Sequence, residues 1–92
     1  MTPRLHAALA ALLLLAAPAA AQQAAPVAGE VAYAERCAEC HRTPARFMRR
    51  YLDMQPAARQ RRLDEFLRTH YAEEEAPRTA IIAWLEANHT RR

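Results

Sequence analysis

Two cysteines and a histidine lie close together in the sequence, at Cys37, Cys40 and His41. Two thiols three positions apart lie on adjacent turns of a helix, so both can reach one edge of a flat ligand. The spacing C-x-x-C-H is the attachment signature of c-type haem, in which each thiol forms a thioether with a vinyl group. His41 then lies under the ring and presents an imidazole nitrogen to the iron as the proximal ligand. The motif therefore predicts one covalently attached haem c, held by Cys37, Cys40 and His41.

Two other chemistries use the same cysteine spacing, and the rest of the chain argues against both. A thiol redox C-x-x-C is typical of a βαβ context, but the sequence has no alternating strand pattern of useful length. A zinc site needs more ligands, but the chain has no second cysteine pair and its remaining histidines are scattered. Haem attachment is therefore the interpretation that the sequence favours.

Four side chains are candidates for the sixth ligand of the iron, opposite His41: Met48, Met54, His70 and His89. Met48 lies too close to His41 in the chain to wrap around the haem edge easily. His89 is near the C-terminus, where we expect it to face solvent. His70 ends an apolar stripe and is the first choice, while Met54, just before a predicted helix start, is the alternative. An open, five-coordinate iron is a further option.

Residues 1–21 have the three-part layout of a secretory signal peptide: a positive start, an apolar run and an A-x-A cleavage site before Gln22. The apolar run, residues 5–17, is short for a bilayer span, which needs roughly 20 apolar residues. We therefore expect cleavage rather than an uncleaved anchor, and no stable membrane insertion afterwards. The mature protein is expected in the periplasm, with its haem attached after export.

The mature chain is too small to build a large core by itself. The whole chain has 92 residues, of which 52% are hydrophobic, but much of the apolar share lies in the signal. The remaining residues, roughly 70 in number, need a disulfide, a metal, a cofactor or a partner for stability. A covalent haem would supply the missing core. The single glycine, Gly29, argues against a β-rich fold, whose tight turns need several.

Apolar spacing predicts an all-α domain over residues 29–92, after a flexible leader at 22–28. We expect three or four short helices wrapped around the haem. The predicted helices cover residues 30–40 and 46–54, a third segment that begins at Pro56, and residues 76–87. The first helix has a predicted apolar stripe of Val31, Ala34 and Ala38, with Tyr33 and Cys37 on a neighbouring stripe. The predicted stripes of the later helices are Leu63, Phe66, Leu67 and His70 on the third, and Ile81, Trp84 and Leu85 on the last.

Positive charge is concentrated after the C-x-x-C-H motif. The formal net charge is +3, and residues 42–68 alone hold eight arginines and three acidic residues, a local charge of +5. A positive rim near a haem edge would steer docking onto an acidic redox partner. The alternative is a solvated helix surface in which a few arginines pair with the haem propionates. Nucleic acid binding is not expected of an exported protein.

A glycine and an aromatic residue precede the motif at intervals of four, in the series Gly29, Tyr33 and Cys37. This pattern resembles class I c-type cytochromes, whose N-terminal helix packs against the C-terminal helix through a glycine and an aromatic residue. The last predicted helix is similar to the terminal helix of that family, with its aromatic and aliphatic contacts. The resemblance covers about residues 29–88 and implies a cytochrome c-like fold.

Class I cytochromes usually offer a methionine before the last helix, whereas this chain has His70 near that position. The segment 67–71 and the helix segment 81–85 are instead similar to small bacterial cytochromes of the dihaem cytochrome c type. Those proteins carry a Leu-x-x-His-aromatic segment before an Ile-x-x-aromatic-Leu helix. This second resemblance implies ligation of the iron by His41 and His70. Because the chain has one C-x-x-C-H, we expect one haem.

These observations predict a periplasmic monohaem c-type cytochrome that carries single electrons between redox proteins. Two imidazoles stabilise Fe(III) more strongly than an imidazole and a thioether, so ligation by His70 predicts a lower reduction potential. Electron transfer needs no catalytic base or nucleophile, so we do not expect an enzyme. The alternatives are a haem-based sensor that binds a ligand at an open or weak sixth site, and a small haem subunit of a larger redox complex.

Overall fold

The computed structural model describes residues 27–92, which form four α-helices and no strand within that range. The helices are α1 (Gly29–Arg36), α2 (Pro44–Met48), α3 (Pro56–Leu67) and α4 (Glu75–Asn88). A short 3₁₀ turn, Arg49–Tyr51, continues α2. The predicted all-α class is confirmed for this part of the chain. The predicted signal peptide, and the leader up to residue 26, lie outside the described residues.

Prolines set where two of the helices begin. Pro44 opens α2 and Pro56 opens α3, because a proline in the first turn has no helical N–H to lose and its φ is already helical. The predicted second helix over 46–54 is wrong at both ends, since α2 begins at Pro44 and ends at Met48. The chain must leave helical geometry before Pro56, since a proline disfavours the α conformation of the residue before it. The chain makes that exit through the 3₁₀ turn.

Close packing of α1 against α4 forms the centre of the fold. Gly29 meets the backbone of α4 so closely that a β-carbon there would overlap the carbonyl oxygen of Ala80 and the Cβ of Trp84. One turn on, the rings of Tyr33 and Trp84 lie 5.3 Å apart between centroids. The glycine and aromatic pattern read from the sequence therefore does join the first and last helices.

The buried face of α1 differs from the predicted one. Val31 is 55% exposed and Ala34 is also exposed, whereas Ala32 and Tyr33 are buried. Tyr33 has far more apolar surface to bury than valine or alanine, so the helix turns that stripe toward α4. On α4, Ile81 and Leu85 are buried as predicted, Trp84 is half-buried, and Ile82 is buried although the sequence did not single it out.

Two buried ion pairs fasten α3 and α4 to each other and to the loops around them. Arg59 donates from Nε and Nη2 to both carboxylate oxygens of Glu86, at 2.8 and 2.6 Å. Arg78 donates from Nε to Oδ1 of Asp64 at 2.7 Å. Both arginines are 6% exposed, so their pairing satisfies charges that would otherwise be costly to bury. No helix in the described region is long and apolar enough to cross a membrane.

Replacing Gly29 by alanine tests the close contact between α1 and α4. The added methyl group has no room beside Ala80, so we expect Gly29→Ala to push the helices apart and lower the free energy of unfolding by about 1–3 kcal/mol. Denaturant unfolding followed by circular dichroism measures this change. The control is Val31→Ala, on the exposed face of the same helix, which should change stability by less than about 0.5 kcal/mol. Equal effects of the two substitutions would contradict this account.

Candidate functional site

The C-x-x-C-H segment forms a tight turn that directly follows α1. The predicted first helix over 30–40 ends early, at Arg36, and the next four residues are turns. The amide of His41 donates to the carbonyl of Cys37 at 2.8 Å, and the amide of Cys40 donates to the same oxygen at 3.2 Å. Cys37 is half-buried and Cys40 exposed, and both are free thiols. The turn therefore holds both sulfurs and the imidazole in one short segment.

Tyr33 anchors this turn to the core. Its hydroxyl donates a hydrogen bond of 2.6 Å to the carbonyl oxygen of His41. The side chain is 3% exposed, and burial, with a smaller contribution from Cys37, raises its pKa to about 12. A phenol that keeps its proton so firmly remains a donor at any physiological pH. The position of His41 thus depends on the packing of Tyr33 against α4.

His70 lies in a turn after α3 and not at the end of the helix, as the apolar stripe had predicted. The helix ends at Leu67, whose carbonyl accepts from the amides of His70 at 3.1 Å and Ala72 at 3.3 Å. Between them Tyr71 adopts a left-handed backbone, with φ of 64°. This conformation reverses the chain and satisfies the carbonyl at the end of the helix. Glycine is the residue that most often occupies such a left-handed position after a helix. The reversal keeps His70 close to the C-x-x-C-H turn.

The two histidines and both cysteines line one cavity of about 580 Å³. The ring centroids of His41 and His70 are 6.3 Å apart, and their planes are inclined by 52°. Phe66 stacks on His70 with a centroid distance of 4.4 Å, and Phe47 meets His41 edge-on at 5.1 Å. Two imidazoles, each braced by a phenylalanine, therefore face the same space from different segments of the chain.

The residues around this cavity fit a haem c group. A metal–nitrogen bond is about 2 Å, and a ring centre lies about 1 Å beyond its nitrogen, so two imidazoles on opposite sides of one iron have centres roughly 6 Å apart. The observed separation of His41 and His70 matches that value. Both thiols needed for covalent attachment lie on the same cavity wall, and the volume is within the range of about 300–1,000 Å³ found for cofactor sites.

The other candidate ligands are elsewhere. Met48 is fully buried in the apolar core. Met54 lines a separate cavity with Tyr51 and Phe66, and its carbonyl accepts from Arg59. His89 meets Trp84 edge-on at a centroid distance of 4.7 Å, beyond the end of α4. None of the three lines the cavity that holds both His41 and His70.

Charged side chains line both this cavity and its neighbour. The neighbouring cavity, of about 430 Å³, shares Cys40, His41 and Phe47 with the first and is rimmed by Arg42, Arg46 and Arg50. The cavity of the histidines is lined by Glu35 and Glu39, with Arg36 between them in the chain. The sequence identified the arginine-rich stretch as a whole, but only the fold brings Arg42, Arg46 and Arg50 to one rim.

The sequence analysis did not place Phe66 at the site, and it marked Tyr71 only as the aromatic residue of the second resemblance. Phe66 was assigned to the core stripe of α3, yet it is 38% exposed and stacks on His70. Tyr71 is 70% exposed and meets His70 edge-on, at a centroid distance of 5.0 Å. The available signal was proximity in the chain, because each is an aromatic residue within four positions of the candidate ligand.

The pKa of the Cys37 thiol argues against the thiol redox alternative. Burial raises the pKa of the Cys37 thiol, and the opposing effect of Arg36 is smaller. A reactive C-x-x-C pair has one thiol with a lowered pKa, since the thiolate is the nucleophile. Cys37 lacks that feature.

Within residues 27–92, no three or more His, Cys, Asp or Glu side chains come together as a group that could hold a metal ion.

Comparisons of the chain with protein-family models, curated proteins and solved structures found no match.

The raised pKa of Tyr33 predicts a loss of stability at high pH. An unfolded tyrosine ionises near pH 10, while Tyr33 in the folded protein keeps its proton to about 12. Its contribution to stability is therefore complete below pH 10 and falls as the pH rises from 10 to 12. Tyr33→Phe should remove this part of the alkaline loss and, because it deletes the hydrogen bond to His41, should cost about 0.5–1.5 kcal/mol at pH 7.

Urea unfolding of both proteins at several pH values between 7 and 12 measures the two effects. Tyr71→Phe is the control, since its ring is exposed and its hydroxyl makes no hydrogen bond in the described region. If Tyr33→Phe and the wild type lost stability in parallel above pH 10, the buried phenol would not be the cause.

Proposed function

We propose that this protein is a periplasmic monohaem c-type cytochrome that carries single electrons. In this proposal Cys37 and Cys40 would hold haem c through thioethers, and the imidazoles of His41 and His70 would bind its iron. The helices would wrap around the haem in a class I-like, cytochrome c-like arrangement. The observation that carries the proposal is the separation of 6.3 Å between the His41 and His70 rings, in a cavity lined by both cysteines.

Aromatic surface beside the cavity supports a flat, largely apolar ligand. Phe66 and Tyr71, which both contact His70, are 38% and 70% exposed. Large aromatic side chains left partly exposed together are typical of a binding site. The packing of Gly29 and Tyr33 against α4 supports the resemblance to class I cytochromes, because that family joins its first and last helices in the same manner.

The bound haem would supply the one-electron couple between Fe(III) and Fe(II), and the side chains would set its properties. Two neutral imidazole ligands favour Fe(III), which lowers the reduction potential relative to ligation by histidine and methionine. Phe66 and Phe47 contact the two imidazoles and would help to hold their ring planes. No residue has to donate or accept a proton, so the proposed role is that of a carrier and not of an enzyme.

The first test is the attachment and ligation of the haem. Co-expressed with a c-type cytochrome maturation system, the wild type should keep its haem in denaturing electrophoresis and give a low-spin, six-coordinate spectrum. His70→Ala should keep the covalent haem but become high-spin and bind CO rapidly, since the sixth position opens. Haem staining, absorption spectra and electron paramagnetic resonance measure these properties.

Two control variants make this test specific. His89→Ala removes a histidine that meets Trp84 edge-on outside the cavity, and Met54→Leu removes the alternative ligand, so both should keep the wild-type spectrum. An unchanged low-spin spectrum in His70→Ala would overturn the ligand assignment, and a wild type without covalent haem would overturn the whole proposal. Rapid CO binding by the wild type would favour the sensor.

The arginine rim supports an acidic redox partner. Arg42, Arg46 and Arg50 are exposed around a cavity that reaches Cys40 and His41, and none of them forms an ion pair in the described part of the chain. Unpaired positive charges of this kind steer negatively charged partners toward the nearby cofactor. We therefore propose that electrons are exchanged with an acidic partner across this rim.

Charge reversal at Arg46 tests the rim with small redox reagents of opposite charge. At low salt, Arg46→Glu should slow oxidation of the reduced protein by anionic ferricyanide roughly threefold to tenfold and speed oxidation by cationic hexaammineruthenium. Stopped-flow absorption measures both rates. Arg61→Glu changes the net charge equally but lies on the groove between α3 and α4, so its effect should be smaller. Equal effects of the two variants would mean that only the net charge matters.

A further inference from the structure

The loop that carries His70 has little to hold it in its observed conformation. Residues 68–74 leave α3 through the left-handed Tyr71, and most of them are exposed. Their backbone makes only a few hydrogen bonds: most go to the last turns of α3, and the carbonyl of Glu74 accepts from the amide of Arg78 at 3.2 Å. Left-handed backbone at a tyrosine costs about 1–2 kcal/mol, so the loop would relax unless contacts from elsewhere fix it.

Arg78 supplies those contacts from the first turns of α4. Its Nη1 atom donates to the carbonyl oxygens of Glu73 at 2.7 Å and Ala72 at 3.2 Å. Its Nε atom donates to Asp64 of α3 at 2.7 Å. One guanidinium group therefore ties the loop, two and three residues after His70, to two helices. Ala72 is fully buried beneath this contact, which closes the loop onto the core.

Asp64 keeps the guanidinium in its place. Hydrogen bonds from Arg78 and, second, from Arg68 lower the pKa of Asp64, so the carboxylate stays charged at neutral pH. A planar guanidinium has fixed donor directions, and Arg78 uses them for a carboxylate on one side and two carbonyls on the other. Lysine carries the same charge but cannot hold three acceptors in this geometry.

Arg78 does not line the cavity and touches neither histidine, so any effect it has on the iron must pass through the loop. Burying the charge of an arginine costs desolvation free energy, and an apolar residue of similar size would fill the same space without that cost. Two of the three hydrogen bonds of Arg78 go to carbonyls of the loop that carries His70, and the third, to Asp64, holds the guanidinium against α3. An apolar residue would fill the space but could not make these two contacts with the loop.

We propose that Arg78, held by Asp64, is a positioning residue that keeps His70 within reach of the iron. The inference rests on the proposed function, because it assumes that His70 is an axial ligand. With the loop fixed, the sixth position stays closed to outside ligands. With the loop released, His70 leaves the iron for part of the time and a competing ligand can enter.

Arg59 provides a matched control for a substitution at Arg78. Both arginines are 6% exposed, both pair with a carboxylate of the neighbouring helix, and both donate to a loop carbonyl. The loop that Arg59 contacts is the one at Met54, which lies outside the cavity of the histidines. Arg78→Met and Arg59→Met therefore remove similar interactions, but only the first frees the loop of His70.

The experiment compares CO binding by the reduced, haem-loaded wild type, Arg78→Met and Arg59→Met, together with their thermal unfolding. Arg78→Met should increase the CO affinity roughly tenfold or more and add a high-spin fraction to the oxidised spectrum. Arg59→Met should lose stability to a similar extent and keep the low affinity and low-spin spectrum of the wild type. If Arg78→Met does not fold, Arg78→Lys keeps the charge and should give an intermediate CO affinity.

The possible outcomes distinguish a failure of the role proposed for Arg78 from a failure of the proposed function. A wild type without covalent haem, or an unchanged spectrum in His70→Ala, removes both. If the wild type and His70→Ala behave as expected, but Arg78→Met binds CO no more tightly than Arg59→Met, Arg78 is structural and only the inference is wrong. An increase confined to Arg78→Met and Arg78→Lys supports it.

Discussion

The contact between Gly29 and α4 is the constraint on which the rest of the structure depends. Because no side chain separates the two helices at that point, Tyr33 can bury its ring against Trp84 and direct its hydroxyl to the carbonyl of His41. The C-x-x-C-H turn is thereby fixed to the core from one side. The same helix α4 fixes the other side of the site through Arg78.

Sequence reasoning predicted the features that depend on local chemistry. The C-x-x-C-H spacing, the helix start at Pro56 and the Gly29–Tyr33 pattern each reflect a rule that acts within a few residues. The stripe on α1 was misjudged because alanine and valine alone mark a face only weakly, and the much larger area of Tyr33 decides which side is buried. The pairing of the first and last helices could be predicted only through the resemblance to a family.

The features that the sequence did not reveal depend on distant partners. Arginine is rarely buried, so nothing local marked Arg59 and Arg78, whose partners lie 27 and 14 positions away. The predicted apolar stripe of α3 continued to His70 because the apolar spacing continues that far. A positive φ is uncommon for tyrosine, so the sequence did not indicate the left-handed turn at Tyr71. The approach of His41 and His70 arises from these contacts together, which is why the sequence left the sixth ligand open among four residues.

The long chain separation between Gly29 and Ala80 has a consequence for the order of events during biogenesis. The contacts of Gly29 and Tyr33 with α4 can form only once the last helix of the described chain is present. Under the proposed function, in which the chain is exported before it receives its haem, the turn at residues 37–41 would stay without this anchor until α4 had followed. This order would leave an interval for haem attachment, which closure of the fold would end.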